Sequence, residues 1–426
     1  TGATFAKAMA TAGINIRMIA QGSSERQISI CVDAEDCSKA LRAAHAALAL
    51  SNTQISIAVL GGTGAVGGEF LDQLTESRKL LTDATDAGKR KAVSDLNIDF
   101  KLTAVSSSKA MRLSYDGIDP AGDVLADSQP ANLNELTAFL EDDFNGNRII
   151  IDCTASQEVA DCYPKWLSEG IHVVATNKKA GSGPAALYNR AKQASLEAST
   201  QWLYETTAPG SGLPVLATLK DMTQSGDVVR KVSGRFSGSM SFIFSQLRQG
   251  VLLSKAVAEA VEKGLCEPDP RDDLNGIDNA RALVVLGREL GLEIEIGDVE
   301  CESLLPAELK NWRPDTAAAA PPLVEQLCKK LEQYDERTAA RVAEIVADGN
   351  VPVQLSEVDV TSGKASVKAF AAVPKDDRVA QCSGNEIIVE ISSRRYDEIP
   401  MVLQGPGAGL KITAAGLFAD LLRLSR

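Results

Sequence analysis

From residue 51 the chain alternates between short apolar runs and amphipathic stretches with helical spacing. The apolar runs predict strands at ISIAVLGG, FKLTAVSSS, RIIIDCT and HVVAT. The stretches between them predict helices at AVGGEFLDQLTESRK, NLNELTAFLED and EVADCYPKWLSEG. Such alternation is typical of an α/β domain with a parallel, doubly wound sheet, which we assign to residues 51–200.

Beyond about residue 201 the pattern changes to strands that are separated by short turns and helices. These strands are predicted at QWLYET, VVRKVSGRF, VQLSEVDV, ASVKAFAAV and EIIVEI. They indicate a mixed sheet with helices on one face, and therefore a second, α+β domain over residues 201–400. Residues 401–426 contain a glycine turn followed by an amphipathic helix, which we expect to return to the first domain.

Residues 1–50 show a third pattern. A helix (TFAKAMATA), a strand (INIRMIAQ), a turn, a strand (RQISICVD) and a helix (AEDCSKALRAAHAALA) give a βαββα order that lacks its first strand. On this pattern alone the segment is either a regulatory module or a small α/β fragment without a ligand.

Composition excludes several classes of partner. A net charge of −13 repels phosphate backbones and anionic lipid, and no apolar run has the length of a membrane helix. The eight cysteines form no CxxC, so we expect reduced thiols in an intracellular compartment, cytoplasmic or plastid. With two histidines, a zinc site is disfavoured, and acid and base chemistry must fall to Lys, Asp or Glu.

The sequence GGTGAVGG has the GxGxxG spacing of a dinucleotide-binding turn, directly after a strand and directly before a helix. We expect Gly62 to permit the tight turn, Gly64 to admit a pyrophosphate and Gly67 to allow close packing of the helix. Ala65 and Val66, which lie between Gly64 and Gly67, would contact the cofactor through their backbone. The alternative is a plain tight turn in a Rossmann-type sheet.

The end of the second predicted strand bears on the choice of cofactor. NAD is commonly held there by an acid, but this chain has Ser106 followed by Lys109 and Arg112. Hydroxyls and cations favour a 2′-phosphate, so NADP is preferred over NAD. The alternative is that both cations merely solvate the start of a helix.

Two further positions follow predicted parallel strands, where doubly wound sheets bind their ligands. Thr154 ends the run RIIIDCT and is a candidate for cofactor binding, and Lys178 follows HVVAT in the sequence TNKKA. A lysine pair at a strand end is otherwise ordinary surface charge. A fixed ammonium beside a carbonyl would stabilise negative charge on its oxygen and could deliver a proton.

The stretch EPDPRDDLNGIDNARA, residues 267–282, concentrates acids between prolines and a glycine. We expect Gly276 to end a loop and a helix to begin at about Ile277, which places position 282 one turn beyond Asp278. Carboxylates clustered in this way could replace the water shell of an ammonium group. A solvated acidic face is the alternative.

The acidic run with GxD, together with NKKA, resembles the active-site motifs of homoserine dehydrogenases. The resemblance implies that Lys178 and Asp278 are catalytic, that Lys178 also contacts the cofactor, and that Glu267, Asp273 and Asp278 bind the substrate. In that family a lysine stands four residues after the aspartate, but here the position is Ala282.

Two glycine-rich segments also resemble the family. YETTAPGSGLPV is similar to the segment that closes on the cofactor and holds a monovalent cation such as sodium, which implies Glu205, Ala208 and Gly210 as oxygen donors. It departs from the family by one additional residue and a proline. GPGAG resembles the closing turn near the nicotinamide, with Gly407 as the backbone contact.

The resemblance covers nearly the whole chain, because residues 1–50 are similar to the ACT module of aspartokinases and residues 51–426 to homoserine dehydrogenase. It implies a Rossmann-type α/β domain, an α+β domain for substrate binding and dimerisation, and an aspartokinase domain missing from the N-terminus. The implied reaction is NAD(P)H-dependent reduction of L-aspartate 4-semialdehyde to L-homoserine by a homodimer. Because of Ala282, an alternative is an inactive NADP-binding, amino-acid-sensing module.

Overall fold

The computed structural model describes residues 2–21, 28–37, 40–41, 43–44, 53–82, 98–143, 147–266, 269–315, 321–407 and 409–424. The chain forms two compact units. The first contains residues 1–175, 190–203 and 418–426, and the second contains residues 176–189 and 204–417. The chain therefore passes between the units after residues 175, 189, 203 and 417.

The N-terminal segment is a small α/β arrangement. Helix α1 spans Gly2–Thr11, and strands β1 (Met18–Gln21) and β2 (Ile28–Cys31) pair antiparallel. Met9, Ile14, Ala40 and Ala43 form its buried apolar core. Among the described residues, no helix is both long and apolar enough to cross a membrane.

The first unit contains a seven-stranded sheet in the order β6-β5-β4-β3-β7-β8-β9. Its central strands are parallel, as the alternating pattern predicted. The strands are β3 (Thr53–Leu60), β4 (Ile98–Ser106), β5 (Ala110–Leu113), β6 (Gln129–Pro130), β7 (Arg148–Asp152), β8 (Ile171–Ala175) and β9 (Trp202–Leu203). Both faces of the central strands are buried, because helices follow them.

Two strands of this sheet differ from the prediction. Residues 110–113 turn back antiparallel to β4, where the pattern predicted no strand. Residues 202–203 pair parallel with β8, although QWLYET was assigned to the second domain. Both strands are short, with β9 at one edge of the sheet and β5 beside the edge strand β6, and their pairing depends on neighbours that the local pattern does not specify.

Helices α2–α7 lie between the strands of this stretch of the sequence. They are α2 (Ala65–Thr82), α3 (Leu133–Glu141), α4 (Gln157–Asp161), α5 (Tyr163–Ser168), α6 (Lys178–Ser182) and α7 (Ala185–Glu197). Helix α3 begins where it does because the Asn132 side chain accepts the backbone N–H groups of Asn134 and Glu135.

The second unit contains a six-stranded sheet in the order β11-β13-β12-β10-β14-β15, antiparallel except for the β11–β13 pair. The strands are β10 (Val229–Arg235), β11 (Val299–Cys301), β12 (Asn350–Asp359), β13 (Lys364–Pro374), β14 (Glu386–Ser393) and β15 (Met401–Pro406). Four of them match the predicted strands of the α+β domain.

Besides α6 and the start of α7, the described part of the second unit contains ten further α-helices. They are α8 (Val215–Gln224), α9 (Gly238–Arg248), α10 (Leu253–Glu262), α11 (Arg271–Leu274), α12 (Ile277–Glu289), α13 (Ala307–Lys310), α14 (Leu323–Leu331), α15 (Asp335–Ala347), α16 (Arg378–Gln381) and α17 (Leu410–Leu424). The last residues of α17, from Phe418, belong to the first unit, where the Phe418 ring lies 6.4 Å from that of Phe70. The end of the C-terminal helix thus contributes to the first unit.

Candidate active site

The glycine-rich turn joins β3 to α2 in the first unit. The N–H groups of Gly61 and Gly62 both donate to the carbonyl of Ser106, at 2.8 and 3.0 Å, and the Gly64 N–H donates to the carbonyl of Gly61. These bonds fix the turn against the end of β4. The first N–H groups of α2, including those of Ala65 and Val66, point out of the helix start and have no acceptor within the helix.

The glycine roles differ in part from the prediction. The left-handed residue of the turn is Gly61, with φ 75°, and not Gly62, where a Cβ would lie 2.5 Å from the Val105 side chain. At Gly67 a Cβ would lie 2.2 Å from the carbonyl oxygen of Gly61, so the helix packs on the turn itself. Gly64 has more room, with a single neighbouring atom at 3.2 Å. Close packing of the turn against α2 therefore depends most on Gly67.

The segment after β4 is a hairpin turn and not a helix start. The hydroxyl of Ser107 accepts the N–H groups of Lys109 and Ala110 and donates to the carbonyl of Ala110. This places Lys109 exposed at the tip of the turn, next to the buried Ser106. Arg112 lies on the returning strand and donates to the carbonyl of Asp123 at 3.2 Å. Lys109 is therefore better placed than Arg112 to meet a ligand at the end of β4.

Thr154 follows β7 and belongs to a tight turn. Its N–H donates to Asp152 Oδ1 at 2.8 Å, and the other oxygen of this fully buried carboxylate accepts the Tyr163 hydroxyl at 2.5 Å. Burial, and then the charge of Asp152, raises the pKa of Tyr163 well above its ordinary value. The Thr154 methyl lies 3.2 Å from where a Cβ of Gly61 would stand, so Thr154 borders the glycine turn.

The main feature of the second unit is a contact between Lys178 and Asp278. The ammonium of Lys178 lies 2.6 and 2.7 Å from the two oxygens of Asp278. The side chains are 28% and 47% exposed, so the pair is open to a ligand. The sequence prediction that these residues act together thus has a geometric basis within a single unit.

The contact with Lys178 favours the ionised form of Asp278. Burial opposes the ionisation of Asp278, but the charge and hydrogen bond of Lys178, with a further contribution from Arg281, outweigh it, so the pKa of Asp278 is lowered. The two oxygens of this carboxylate hold the Lys178 ammonium in place. Such an ammonium can stabilise an anionic oxygen and supply a proton to it.

Both residues stand at helix starts. Asn177 is buried and accepts the Lys179 N–H, and Lys178 is the first residue of α6. Asp278 lies in the first turn of α12, whose N-cap Gly276 has φ 75°, as expected for the end of the acidic loop. A Cβ at Gly276 would lie 2.9 Å from the sulfur of Cys301, so this loop end requires glycine.

Ala282 lies one turn after Asp278 on α12 and is 4% exposed. The preceding Arg281 is exposed and contributes to the lowered pKa of Asp278. The charge balance of Asp278 therefore rests on Lys178 first and on Arg281 second.

The rest of the acidic segment serves different purposes. Asp273 accepts the hydroxyl of the buried Ser239 at 2.7 Å. Asp269 accepts the backbone N–H of Arg271 at 3.1 Å and pairs with its side chain, while Asp272 is exposed. Glu267 lies outside the described residues.

The proposed cation donors have protein partners. The two oxygens of the buried Glu205 accept the N–H groups of Leu216 and Ala217, at 2.6 and 2.9 Å, at the start of α8. The Gly210 carbonyl accepts the Leu213 N–H at 3.2 Å, and Ala208 is buried. Glu205 therefore has a capping role that sequence reasoning missed. No group of three or more acidic, Cys or His residues that could hold a metal occurs among the residues that were described.

The segment from Glu205 to Leu213 packs on the first part of α17. A Cβ at Gly212 would lie 2.4 Å from the Ile412 side chain, and one at Gly416 would lie 2.5 Å from the Ser211 carbonyl. Gly407 follows β15, and its N–H donates to Asn385. A Cβ there would lie 2.8 Å from the Gly238 Cα, so Gly407 allows close packing on the start of α9.

Within the second unit the structure therefore brings together Lys178 and Asp278, and it places Asp273 against Ser239. Within the first unit it brings together the glycine turn, Ser106 and Thr154. Sequence reasoning missed Gly61, although the doubled glycine directly after β3 was a usable signal.

Comparison with known proteins gives consistent matches. A family model described as "Homoserine dehydrogenase" matches residues 214–422, one described as "Homoserine dehydrogenase, NAD binding domain" matches residues 62–205, and one for an ACT domain matches residues 1–48. The chain is 38% identical to a chloroplastic bifunctional aspartokinase/homoserine dehydrogenase of Zea mays over 99% of its own length and 44% of that protein. It is 36% identical to the bifunctional protein of Haemophilus influenzae over 99% of its own length and 49% of that protein. The chain thus spans less than half the length of these relatives.

Solved structures share the fold. A Candida auris protein of unknown function is 30% identical, with a TM-score of 0.74 over 87% of this chain and 98% of that chain. A hyperthermophilic archaeal homoserine dehydrogenase in complex with NADPH is 19% identical, with a TM-score of 0.61 over 87% of this chain and 98% of that chain, a likeness that shows the fold alone.

Proposed function

Because the chain belongs to the homoserine dehydrogenase family of oxidoreductases, we propose that it reduces L-aspartate 4-semialdehyde to L-homoserine with a nicotinamide cofactor. The observation that carries this proposal is the Lys178–Asp278 ion pair, which presents a fixed proton donor without histidine. As the carbonyl is reduced, negative charge grows on its oxygen. The Lys178 ammonium would stabilise that charge and then deliver the proton.

The residues of the glycine turn fit a dinucleotide. The close packing at Gly67 and the outward N–H groups of Ala65 and Val66 form a backbone cradle at the start of an 18-residue helix, which attracts phosphate. The cofactor, when bound, would supply the hydride. We propose NADP over NAD, because Lys109 stands beside Ser106, where a 2′-phosphate would need a cation.

The substrate's α-ammonium group needs several oxygen acceptors. We propose that Asp273 provides one of them, held by the Ser239 hydroxyl, and that Glu267 provides another. Asp278 would divide its two oxygens between Lys178 and the substrate.

We also propose a monovalent cation at the Glu205 segment, with Ala208 and Gly210, and a backbone contact of Gly407 with the cofactor. The support is the resemblance of this segment to the family's cation-binding turn, together with the burial of Glu205 and Ala208. A sodium titration of activity tests it: unchanged rates after exchange of sodium for a large organic cation would contradict the cation.

At the level of the whole protein, we propose a homodimer built on the second domain, connected to an aspartokinase part as in the bifunctional relatives. The ACT segment would sense an amino acid, and the domain boundaries proposed are 1–50, 51–200, 201–400 and 401–426. An intracellular location, in cytoplasm or plastid, agrees with eight free cysteines.

The test is NADPH oxidation by the purified chain on addition of L-aspartate 4-semialdehyde, with homoserine identified as the product. Ala282 favours a second candidate, an NADP-binding module without turnover. A rate equal to the no-enzyme control, together with retained NADPH binding, would reject the enzyme and support the module.

A further inference from the structure

We infer that Arg288 is a positioning residue that holds the Lys178 ammonium against the Asp278 carboxylate. The inference rests on the proposed function, since it concerns how that site is assembled. Arg288 lies at the far end of α12 from Asp278, and its side chain is 3% exposed. It does not touch either member of the pair.

The three donor nitrogens of Arg288 reach three different places. Nη1 donates to the carbonyl of Gly181 at 2.8 Å, Nε donates to the carbonyl of Ile294 at 3.0 Å, and Nη2 pairs with Glu295 at 2.9 Å. Gly181 belongs to α6, the short helix that begins with Lys178. Arg288 therefore ties the helix that carries the lysine to the helix that carries the aspartate.

Glu295 extends this tie along the chain. Its other carboxylate oxygen accepts the N–H of Ala185 at 2.7 Å, just beyond the end of α6. The segment that follows Lys178 is thus held at Gly181 by Arg288 and at Ala185 through Glu295. The fit is close, because a Cβ at Gly181 would already lie 3.2 Å from the Val285 side chain of α12.

A helix of five residues cannot hold its own position in water, so α6 depends on these contacts. The planar guanidinium makes three directed donations at once, which the single ammonium of a lysine cannot reproduce. The burial of Arg288 without a role in positioning would predict only a loss of stability on substitution. A positioning role also predicts a change in the environment of Lys178, whereas a purely structural role does not.

The experiment compares Arg288→Met with Arg235→Met in the full chain. Arg235 is an equally buried arginine of the same unit, but it donates to Ser241 and to the carbonyls of Val379 and Cys382. Acetylation by an amine-reactive ester is measured by mass spectrometry at Lys178, with the exposed Lys179 as the reference. We expect Lys178 labelling to rise several-fold in Arg288→Met and to stay at the wild-type level in Arg235→Met.

Kinetics give the second measurement. We expect kcat to fall on the order of 100-fold in Arg288→Met, as for a displaced catalytic group, with little change in the KM for NADPH. Arg288→Lys should lie between this variant and wild type, and it replaces Arg288→Met if that variant does not fold. Unchanged Lys178 labelling in the Arg288 variant, or an equal rise in both arginine variants, would overturn the inference.

The labelling result does not depend on turnover. If the wild-type chain shows no oxidation of NADPH with the semialdehyde, the proposed function fails, while the labelling comparison still decides whether Arg288 positions Lys178. If the wild type is active and the labelling is unchanged, the inference alone fails.

Discussion

The ammonium of Lys178 lies 2.6 Å from Asp278, a residue 100 positions away in the sequence and on a different helix. Both residues belong to the same compact unit, although Lys178 follows a strand of the other. The site therefore depends on a short segment, residues 176–189, that leaves one sheet and packs within the second unit.

Replacement of Lys178 by methionine removes the proton donor while it keeps most of the side-chain volume. We expect kcat/KM for the semialdehyde to fall by about 100-fold to 10,000-fold, the usual contribution of a positioned acid. Lys179→Met is the matched control, because the neighbouring lysine is exposed, and it should retain wild-type kinetics. Equal losses in both variants would assign the effect to α6 and not to the Lys178 ammonium.

Introduction of lysine at position 282 tests whether alanine limits the rate. The new ammonium would stand one turn after Asp278 and share proton delivery with Lys178. We expect steady-state assays of Ala282→Lys to show a gain of roughly 100-fold in kcat. Ala282→Met is the control, because it adds a long side chain without a charge. If both variants match wild type, the altered segment at Glu205 becomes the better explanation of a slow enzyme.

Gly67 and Gly68 offer a paired test of the dinucleotide turn. A Cβ at Gly67 meets the Gly61 carbonyl at 2.2 Å, whereas a Cβ at Gly68 has no neighbour within 4 Å. Gly67→Ala should abolish NADPH binding in a fluorescence titration and lower Tm. Gly68→Ala should bind normally and gain about 0.5–1 kcal/mol of helix stability. Normal binding by Gly67→Ala would remove the turn from the cofactor site.

Lys109 is the residue on which the preference for NADP depends. Lys109→Ala should weaken NADPH binding about 10-fold, the loss of roughly one charge-assisted hydrogen bond, and leave NADH binding unchanged. Arg112→Ala should have little effect, because Arg112 already donates to Asp123. Calorimetric titration with NADPH and with NADH measures the affinity of each variant for both cofactors. Wild-type affinity for NADH that equals that for NADPH would contradict the assignment.

The Asp278 pair predicts a dependence of stability on pH. Because the pKa of Asp278 is lowered by Lys178 in the folded chain, its ionised form stabilises the fold above the ordinary carboxyl pKa of about 4. This stabilisation is lost as pH falls through the lowered pKa. In urea denaturation, the advantage of wild type over Asp278→Asn should be greatest near neutral pH and shrink below about pH 4. A stability advantage of wild type that grows as the pH falls would contradict a stabilising Lys178–Asp278 ion pair.

Much of the fold was predictable because the local pattern matches the long-range structure. The central strands of both sheets, the loop that ends at Gly276 and the helix from Ile277 were all predicted, since buried strands and helix starts leave periodic signals. The antiparallel strand at residues 110–113 was not, because nothing local distinguishes a strand of four residues from a helix start.

The residues proposed for catalysis could be named from the sequence, but the contacts that hold them in place could not. Lys178 and Asp278 could be paired only through the resemblance to a family. The tie from Arg288 to Gly181 and the capping of α8 by Glu205 join residues that are distant in sequence, and a single sequence carries no record of such contacts.

The chain crosses between its two compact units four times, which limits where genes of related proteins can recombine. Neither unit is formed by one continuous stretch of the sequence, so a hybrid joined at a single point between residues 176 and 417 would combine parts of the second unit from two parents. Viable recombinants between diverged relatives should therefore have their junctions outside that interval, where only the first unit is divided.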